Sequence, residues 1–224
     1  MRIGVVCAME NEIDLLRGCF QSSKLHRAGG IAVTEAPLFS HTLLLAISGI
    51  GKTSAAMTTE ALITAFNCEI IINTGLAGGC DDRLQPGDAV LADKAVYHDF
   101  DLGALRDLHS FPDGFLPDRK LFSLAERAMT KLGACFVSGT VASGDVFVSD
   151  KALKDEIIAR TRCSCIDMEA AAIAHVASLN ALPFTIVKYI SDSADLGAEL
   201  DFDAALSLYT KRCAAFVREI VKLI

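Results

Sequence analysis

The sequence predicts an α/β protein with a mostly parallel or mixed central sheet covered by helices on both faces. The main observation is that short apolar, β-branched runs alternate along the chain with longer segments of helical periodicity. A second is the composition, with 52% hydrophobic and 22% charged residues, which is typical of a globular protein. A third is that no linker, internal repeat or low-complexity tract divides the 224 residues. One domain spanning residues 1–224 is therefore the simplest organisation.

In the first half of the chain, compact apolar runs predict strands, and apolar residues at helical spacing predict helices. Pro37 and Ser40 predict a turn between two of the strands. The glycine-rich run 75–79 predicts a flexible loop after another strand. The predicted strands are 2–8, 31–35, 42–47, 69–73 and 88–96, and the predicted helices are 10–17 and 52–66.

The second half begins with an irregular region, 98–117, and then returns to alternating elements. Asp167 is predicted to be the N-cap of a helix that runs to about Ser178. The remaining predicted helices are 118–132, 151–158 and 202–223, and the predicted strands are 135–142, a short one near Val146, and 183–190.

Charge and cysteine usage limit the possible partners and location. With 28 acidic and 21 basic residues the net charge is −7, which argues against a nucleic-acid partner but not against a neutral nucleoside. The first apolar run is too short for a signal peptide, and no stretch approaches the roughly 20 apolar residues that cross a bilayer. The eight cysteines are scattered without a Cys-x-x-Cys pair, so we expect reduced thiols in a cytoplasmic protein.

Three carboxylates fall at junctions between predicted elements. Glu12 follows the first strand, Glu169 lies at the start of an alanine-rich helix, and Asp192 follows a strongly apolar strand. In an α/β sheet this edge is where ligands bind. Each acid alone also fits a structural role, as a solvated side chain, a helix-end charge or a turn residue. The three together favour acid/base chemistry on a small molecule.

Other motifs have weaker functional interpretations. The run 46–53 ends in Gly-Lys-Thr like a phosphate loop, but Ala46 stands where that pattern needs glycine, so a tight glycine turn beside a ligand is favoured. The glycines of 73–79 lack dinucleotide-binding spacing. His98 with Asp99 and Asp101 has no second histidine nearby, so no metal site is predicted.

Taken in order, the motifs resemble those of the 5′-methylthioadenosine/S-adenosylhomocysteine nucleosidases, within the purine nucleoside phosphorylase superfamily. The resemblance runs nearly end to end. It implies a three-layer α/β/α sandwich with a mixed, nucleoside phosphorylase-like sheet, and a homodimer. It also implies hydrolysis of an adenine–ribose bond with water as co-substrate and no cofactor or metal. The motifs are Glu12, the turn 49–52, and the runs 73–79, 143–147, 167–170 and 190–192.

The resemblance implies roles for three catalytic residues. Glu12 matches the base that activates water. Asp192 matches the acid that protonates adenine N7, with Ser191 orienting it. Glu169 matches the residue that binds the ribose hydroxyls, together with Met168.

The resemblance also implies the substrate-binding walls. Phe147 would stack on adenine, the Val148 backbone would contact the purine edge, and Ile50 and Phe202 would be apolar walls. The chain departs from the family pattern where Leu76 replaces a usual serine and Lys188 a usual arginine. In the region 102–111, Leu102 and Leu105 would replace aromatic residues that close the pocket around the 5′ substituent.

Three other functions stay open at this point. A nucleosidase for a different 5′-substituted nucleoside, such as a futalosine-like one, would use the same residues. A nucleoside phosphorylase would need an anion site, where this chain has the acidic run 9–12. A non-catalytic nucleoside-binding protein is consistent with the departures at Leu76 and Lys188.

Overall fold

The computed structural model describes residues 1–12, 14–100, 114–192 and 198–224, without the side chains of Asp14, Asp192 and 198–208. The strands, in chain order, are β1 Arg2–Cys7, β2 Lys24–Ala28, β3 Ile31–Leu38, β4 His41–Ile47, β5 Ile70–Gly79, β6 Ala89–Tyr97, β7 Phe136–Ser143, β8 Cys165–Asp167 and β9 Phe184–Asp192. The helices are α1 Asp14–Arg17, α2 Lys52–Thr64, α3 Arg119–Lys131, α4 Lys151–Thr161, α5 Ala170–Leu179 and α6 Ala198–Leu223, and a 3₁₀ turn covers Glu10–Glu12.

The nine strands form one mixed sheet in the order β2-β3-β4-β1-β5-β8-β7-β6-β9. Strand β1 pairs in parallel with β4 and β5, while β2, β3 and β4 are antiparallel neighbours. Strand β9 pairs with β6 and also with β5, so five strands close into a ring. The predicted α/β class with a mixed sheet is confirmed, and the partial closure is a feature that the sequence pattern did not predict.

Helices cover both faces of the sheet, which makes three layers. On one face, buried residues of α2 and α5 pack against the sheet, among them Leu62 and Ile173. On the other face, α3 and α6 do so, with Met129 and Phe216 fully buried. A strand that is covered on both faces has consecutive apolar residues without alternation, as in the buried part of β4.

The predicted loop at 75–79 is wrong, because β5 continues through it to Gly79. Gly75 to Gly78 pair with β9, and Gly78 and Gly79 pair with β8. Glycine usually weakens a strand, but here it lets other groups approach the backbone closely. A Cβ atom at Gly75 would lie 2.8 Å from the Lys188 Nζ atom.

Four smaller predictions are also corrected. The region near Val146 has no strand and runs irregularly from β7 to α4. Pro37 lies inside β3, paired with Thr42, and the chain turns after it at Phe39, which has a φ of 55°. The helix predicted at 10–17 is divided into the 3₁₀ turn and α1. The N-cap of α5 is Glu169 and not Asp167.

Two strands were not predicted. Strand β2 is a largely exposed edge strand with a polar sequence, so it lacks the apolar signal. Strand β8 has only three residues, too few for any periodicity, and it is defined by its neighbours β5 and β7.

Two further findings concern the chain as a whole. No helix within the described ranges is both long and apolar enough to cross a membrane. All eight cysteines are free thiols.

Candidate active site

A cleft of about 140 Å³ lies at the carboxyl ends of the parallel strands β1, β5 and β9, and residues at the end of the antiparallel strand β8 also line it. This is the edge at which α/β sheets bind ligands. The elements therefore bring together side chains that are far apart in the sequence. Eight of the predicted site residues line the cleft, namely Glu12, Ile50, Leu76, Phe147, Val148, Met168, Glu169 and Ser191.

Glu12 is buried at the bottom of the cleft, with 1% of its surface exposed. The backbone N–H groups of Ala8 and Met9 donate to its Oε2 atom at 2.8 and 3.1 Å. The N–H of Leu76 donates to Oε1 at 3.3 Å. Burial raises the pKa of Glu12, although Lys188 and these donors act in the opposite direction. Glu12 is thus a fixed carboxylate with more basicity than an exposed glutamate.

Glu169 is the N-cap residue of α5 and faces the same cleft. The N–H of Gly51 donates to its Oε1 atom at 2.9 Å. Gly51 has a φ of 97°, a conformation that favours glycine, so the predicted tight turn after β4 is present. Burial and then the Asp167 carboxylate raise the pKa of Glu169 to about 7. Glu169 can therefore exchange a proton near neutral pH.

Lys188 lies behind the cleft wall and not on its surface. Its Nζ atom forms an ion pair with Asp167 Oδ2 at 2.8 Å, and its side chain is 2% exposed. Burial opposes the charge of Lys188, but Asp167 and Glu169 outweigh this effect and raise its pKa above the ordinary value. Lys188 is therefore charged, and its described contact is with a neighbouring acid.

The rest of the cleft is mainly apolar. Ile50 and Phe147 lie at its mouth with 61% and 50% of their surfaces exposed. Leu76 and Val148 are buried deeper, and the Ser191 hydroxyl donates to the Ala77 carbonyl at 3.4 Å. A cleft with apolar walls and a few fixed polar groups is the usual form of a small-molecule site.

Beside the mouth, Lys52 makes contacts that fix the surrounding loops. Its Nζ atom forms an ion pair with Asp99 Oδ1 at 2.6 Å, and its backbone N–H donates to Asp145 Oδ1 at 2.8 Å. Within the described residues, no group of three or more His, Cys, Asp or Glu side chains is arranged to hold a metal ion. Asp101, part of the weak metal motif, lies outside the described residues.

The model of the phosphorylase superfamily matches residues 2–222. The 5′-methylthioadenosine/S-adenosylhomocysteine nucleosidase of Actinobacillus succinogenes is 36% identical over 97% of this chain and 96% of its own. The chain belongs to this nucleosidase family of the phosphorylase superfamily.

Solved structures of superfamily members have the same fold. The Neisseria meningitidis nucleosidase in complex with methylthio-immucillin-A superposes with a TM-score of 0.94, at 36% identity, covering 100% of this chain and 99% of that one. The futalosine hydrolase of Helicobacter pylori has a TM-score of 0.92 at 28% identity, covering 100% and 98%. The three-layer nucleoside phosphorylase-like fold is thus confirmed.

The structure does not describe the side chains of four residues to which the sequence assigned site roles. The backbone of Asp192 ends β9 beside Gly78, which lines the cleft, but its side chain is not described. The side chain of Phe202 is not described either, and Leu102 and Leu105 lie in the range 101–113. The roles of these four residues stay predictions.

One residue of the site was missed as a functional candidate. Asp167 was predicted only as a helix cap, yet it lines the cleft and pairs with Lys188. Its Oδ2 atom accepts a hydrogen bond from the Ala170 N–H at 2.8 Å. Asp167 therefore binds an N–H group at the start of α5, although Glu169 is the N-cap residue. A buried lysine four residues before Asp192 could have signalled that an acid partner was needed.

The raised pKa of Glu169 predicts a pH dependence of stability. The pKa is about 7 in the folded protein and 4.5 ordinarily, so between these values the folded state binds more protons than the unfolded state. The contribution of Glu169 to the free energy of unfolding should therefore fall as pH rises through this window. Because Glu169→Gln does not titrate, its stability relative to wild type should increase over the same window, as measured by urea denaturation.

The exposed Glu126→Gln is the matched control, and its difference from wild type should not change with pH in this window. A constant difference between Glu169→Gln and wild type would contradict the assignment of a proton to Glu169.

Proposed function

We propose that this protein hydrolyses the N-glycosidic bond of 5′-methylthioadenosine and S-adenosylhomocysteine to adenine and the thioribose. The observation that carries the proposal is the buried Glu12 carboxylate. It is held by three backbone donors in a cleft that also contains Glu169, in a chain of the nucleosidase family.

Glu12 serves as the base that activates water. The C–N bond breaks through an oxocarbenium-like sugar, and the water oxygen adds to C1 as its proton passes to Glu12. A carboxylate that delivers water to the face opposite the leaving group is the arrangement of inverting glycosidases. The backbone donors fix the carboxylate before the substrate binds, so little reorganisation is needed during the reaction.

Asp192 protonates N7 of the departing adenine, which removes the negative charge that would otherwise develop there. Its place at the end of β9, beside Gly78 of the cleft, supports this role. Glu169 accepts hydrogen bonds from the ribose hydroxyls, while Phe147 and Val148 contact the base. Ile50, Leu76 and Met168 supply apolar contacts for the sugar and its 5′ substituent.

Hydrolysis is favoured over phosphorolysis by the charges of the cleft. None of the described residues that line the cleft is lysine or arginine. Three acidic residues line it, namely Glu12, Asp167 and Glu169. A phosphate dianion would meet carboxylates without a compensating cation at the surface. Water carries no such penalty.

A futalosine-type nucleoside is the second candidate substrate. It is supported by the likeness to the Helicobacter pylori futalosine hydrolase. The 36% identity to the nucleosidases of Actinobacillus succinogenes and Neisseria meningitidis, against 28% to the futalosine hydrolase, favours the first candidate. Comparing kcat/KM for 5′-methylthioadenosine, S-adenosylhomocysteine and futalosine decides between them, and a preference for futalosine would replace the first proposal.

We propose further that the protein is a cytoplasmic homodimer. The exposed apolar side chains of Ile50, Val146 and Phe147 around the cleft mouth support a partner subunit there. The free thiols support a reducing compartment. A light-scattering mass of a single chain in solution would contradict the dimer.

Replacement of the proposed base tests the function directly. Glu12→Gln keeps the size and most hydrogen bonds of the side chain but cannot accept the proton from water. We expect adenine release from 5′-methylthioadenosine to slow by about 10²–10⁴-fold in kcat. The measurement uses purified protein in phosphate-free buffer with a chelator, and follows free adenine.

The surface variant Glu126→Gln should release adenine at the wild-type rate. Unchanged turnover in folded Glu12→Gln would remove Glu12 from the mechanism. Folded wild-type protein that releases no adenine from any nucleoside of the panel would contradict the proposed hydrolase.

A further inference from the structure

We infer that Asp167 is a positioning residue, which holds the Lys188 ammonium close to Glu12 and Glu169 so that both glutamates stay available to substrate and water. The inference rests on the proposed hydrolysis, since it assigns a task to those two glutamates. Three observations support it: the contacts of Asp167, the position of the Lys188 ammonium beside Gly75, and the charges of the buried side chains around that ammonium.

The Asp167 carboxylate has three described contacts, each with a different element. Oδ2 accepts from the Lys188 ammonium on β9 and from the Ala170 N–H at the start of α5, both at 2.8 Å. Oδ1 accepts a hydrogen bond from the Ser143 hydroxyl at the end of β7. The Ser143 oxygen in turn accepts from the Ala171 N–H at 2.8 Å. Asp167, which belongs to β8, therefore connects that strand to β7, β9 and α5, two positions before Glu169.

In its present position, the Lys188 ammonium uses space left open by the glycine at position 75. Residues Gly75 and Lys188 are direct partners across β5 and β9. A Cβ atom on Gly75 would lie 2.8 Å from Lys188 Nζ and 3.5 Å from Glu12 Oε1. The ammonium is thus near the Glu12 carboxylate, while its hydrogen-bonded partner is Asp167.

The buried charges explain why this partner matters. Glu12, Asp167 and Glu169 surround one ammonium, and all four side chains are buried. An ammonium without a carboxylate partner in such a site would move to the nearest remaining one. If it paired fully with Glu12, that carboxylate would lose base strength. Asp167 prevents this by binding the ammonium from the other side.

The position of Asp167 also sets that of Glu169. Only Met168 lies between them in the sequence, and the Asp167 and Ser143 oxygens bind the first N–H groups of α5. The N–H groups at a helix start otherwise need other partners. Because Asn could keep the contacts with Ala170 and Ser143, Asp167→Asn removes the charge with little change in shape.

The test is a double-mutant cycle on adenine release with Asp167→Asn, Lys188→Met and the double variant. Since Asp167 acts through Lys188, we expect Asp167→Asn to lower kcat by about 10²-fold, the size of effect that misplaced catalytic groups produce, with KM changed much less. Lys188→Met should also lower kcat. The double variant, which leaves no unpaired buried charge, should be no slower than Lys188→Met alone.

The matched control is Asp118→Asn, since Asp118 caps α3 through the Leu121 N–H at 2.9 Å but is not a cleft residue. It should keep the wild-type kcat and KM. If Asp167→Asn only lowers stability and its folded form keeps wild-type kcat, or if the two effects on kcat multiply, Asp167 is not a positioning residue. Either result leaves wild-type activity and the proposed function intact, whereas inactive wild-type protein would overturn both.

Discussion

The ion pair between Lys188 and Asp167 is the interaction on which the rest of the site depends. It places one positive charge inside a protein region that contains three carboxyl groups. Removing an ion from water costs several kcal/mol even after the surroundings relax, so a lone buried lysine would be expelled or neutralised. The excess of carboxyl groups stabilises the ammonium. Burial also raises the pKa of Glu12 and of Glu169, so these two carboxyl groups are more basic than they would be in water.

Backbone groups complete the compensation for burying these charges. Glu12 is bound by N–H groups that follow β1 and lie within β5, and Glu169 by the N–H of Gly51. These donors belong to strand ends and tight turns, which are rigid parts of the fold. The glycine at position 51 lets its backbone N–H approach Glu169, and the glycine at position 75 leaves room for the Lys188 side chain. The sheet edge therefore supplies both the location of the chemistry and the fixed dipoles that stabilise it.

Much of the architecture follows from local sequence signals. The predicted strands at 31–35 and 42–47 and the helix at 118–132 correspond to β3, β4 and α3, because the two strands are compact apolar runs and the helix has apolar residues at helical spacing. Gly75 to Gly79 were predicted as a loop since local propensity disfavours glycine in strands. Closure of β5 against β8 and β9 overrides that propensity, and it depends on residues more than 80 positions away.

The site could be predicted in part for the same reason. Glu12 and Glu169 stand at element ends, which sequence patterns reveal, and both line the cleft. Asp167 looked like a helix cap because its partner Lys188 is distant in the sequence and adjacent only through the β8 and β9 strands. Local patterns do not encode such a pairing.

In the proposed reaction, water activated by Glu12 attacks C1 of the sugar. The most direct measurement is the reaction of 5′-methylthioadenosine in H₂¹⁸O with inorganic phosphate present, followed by mass spectrometry of the sugar product. Attack by water should give a free thioribose carrying one ¹⁸O atom at C1. A thioribose 1-phosphate without label would contradict it and identify phosphate as the nucleophile.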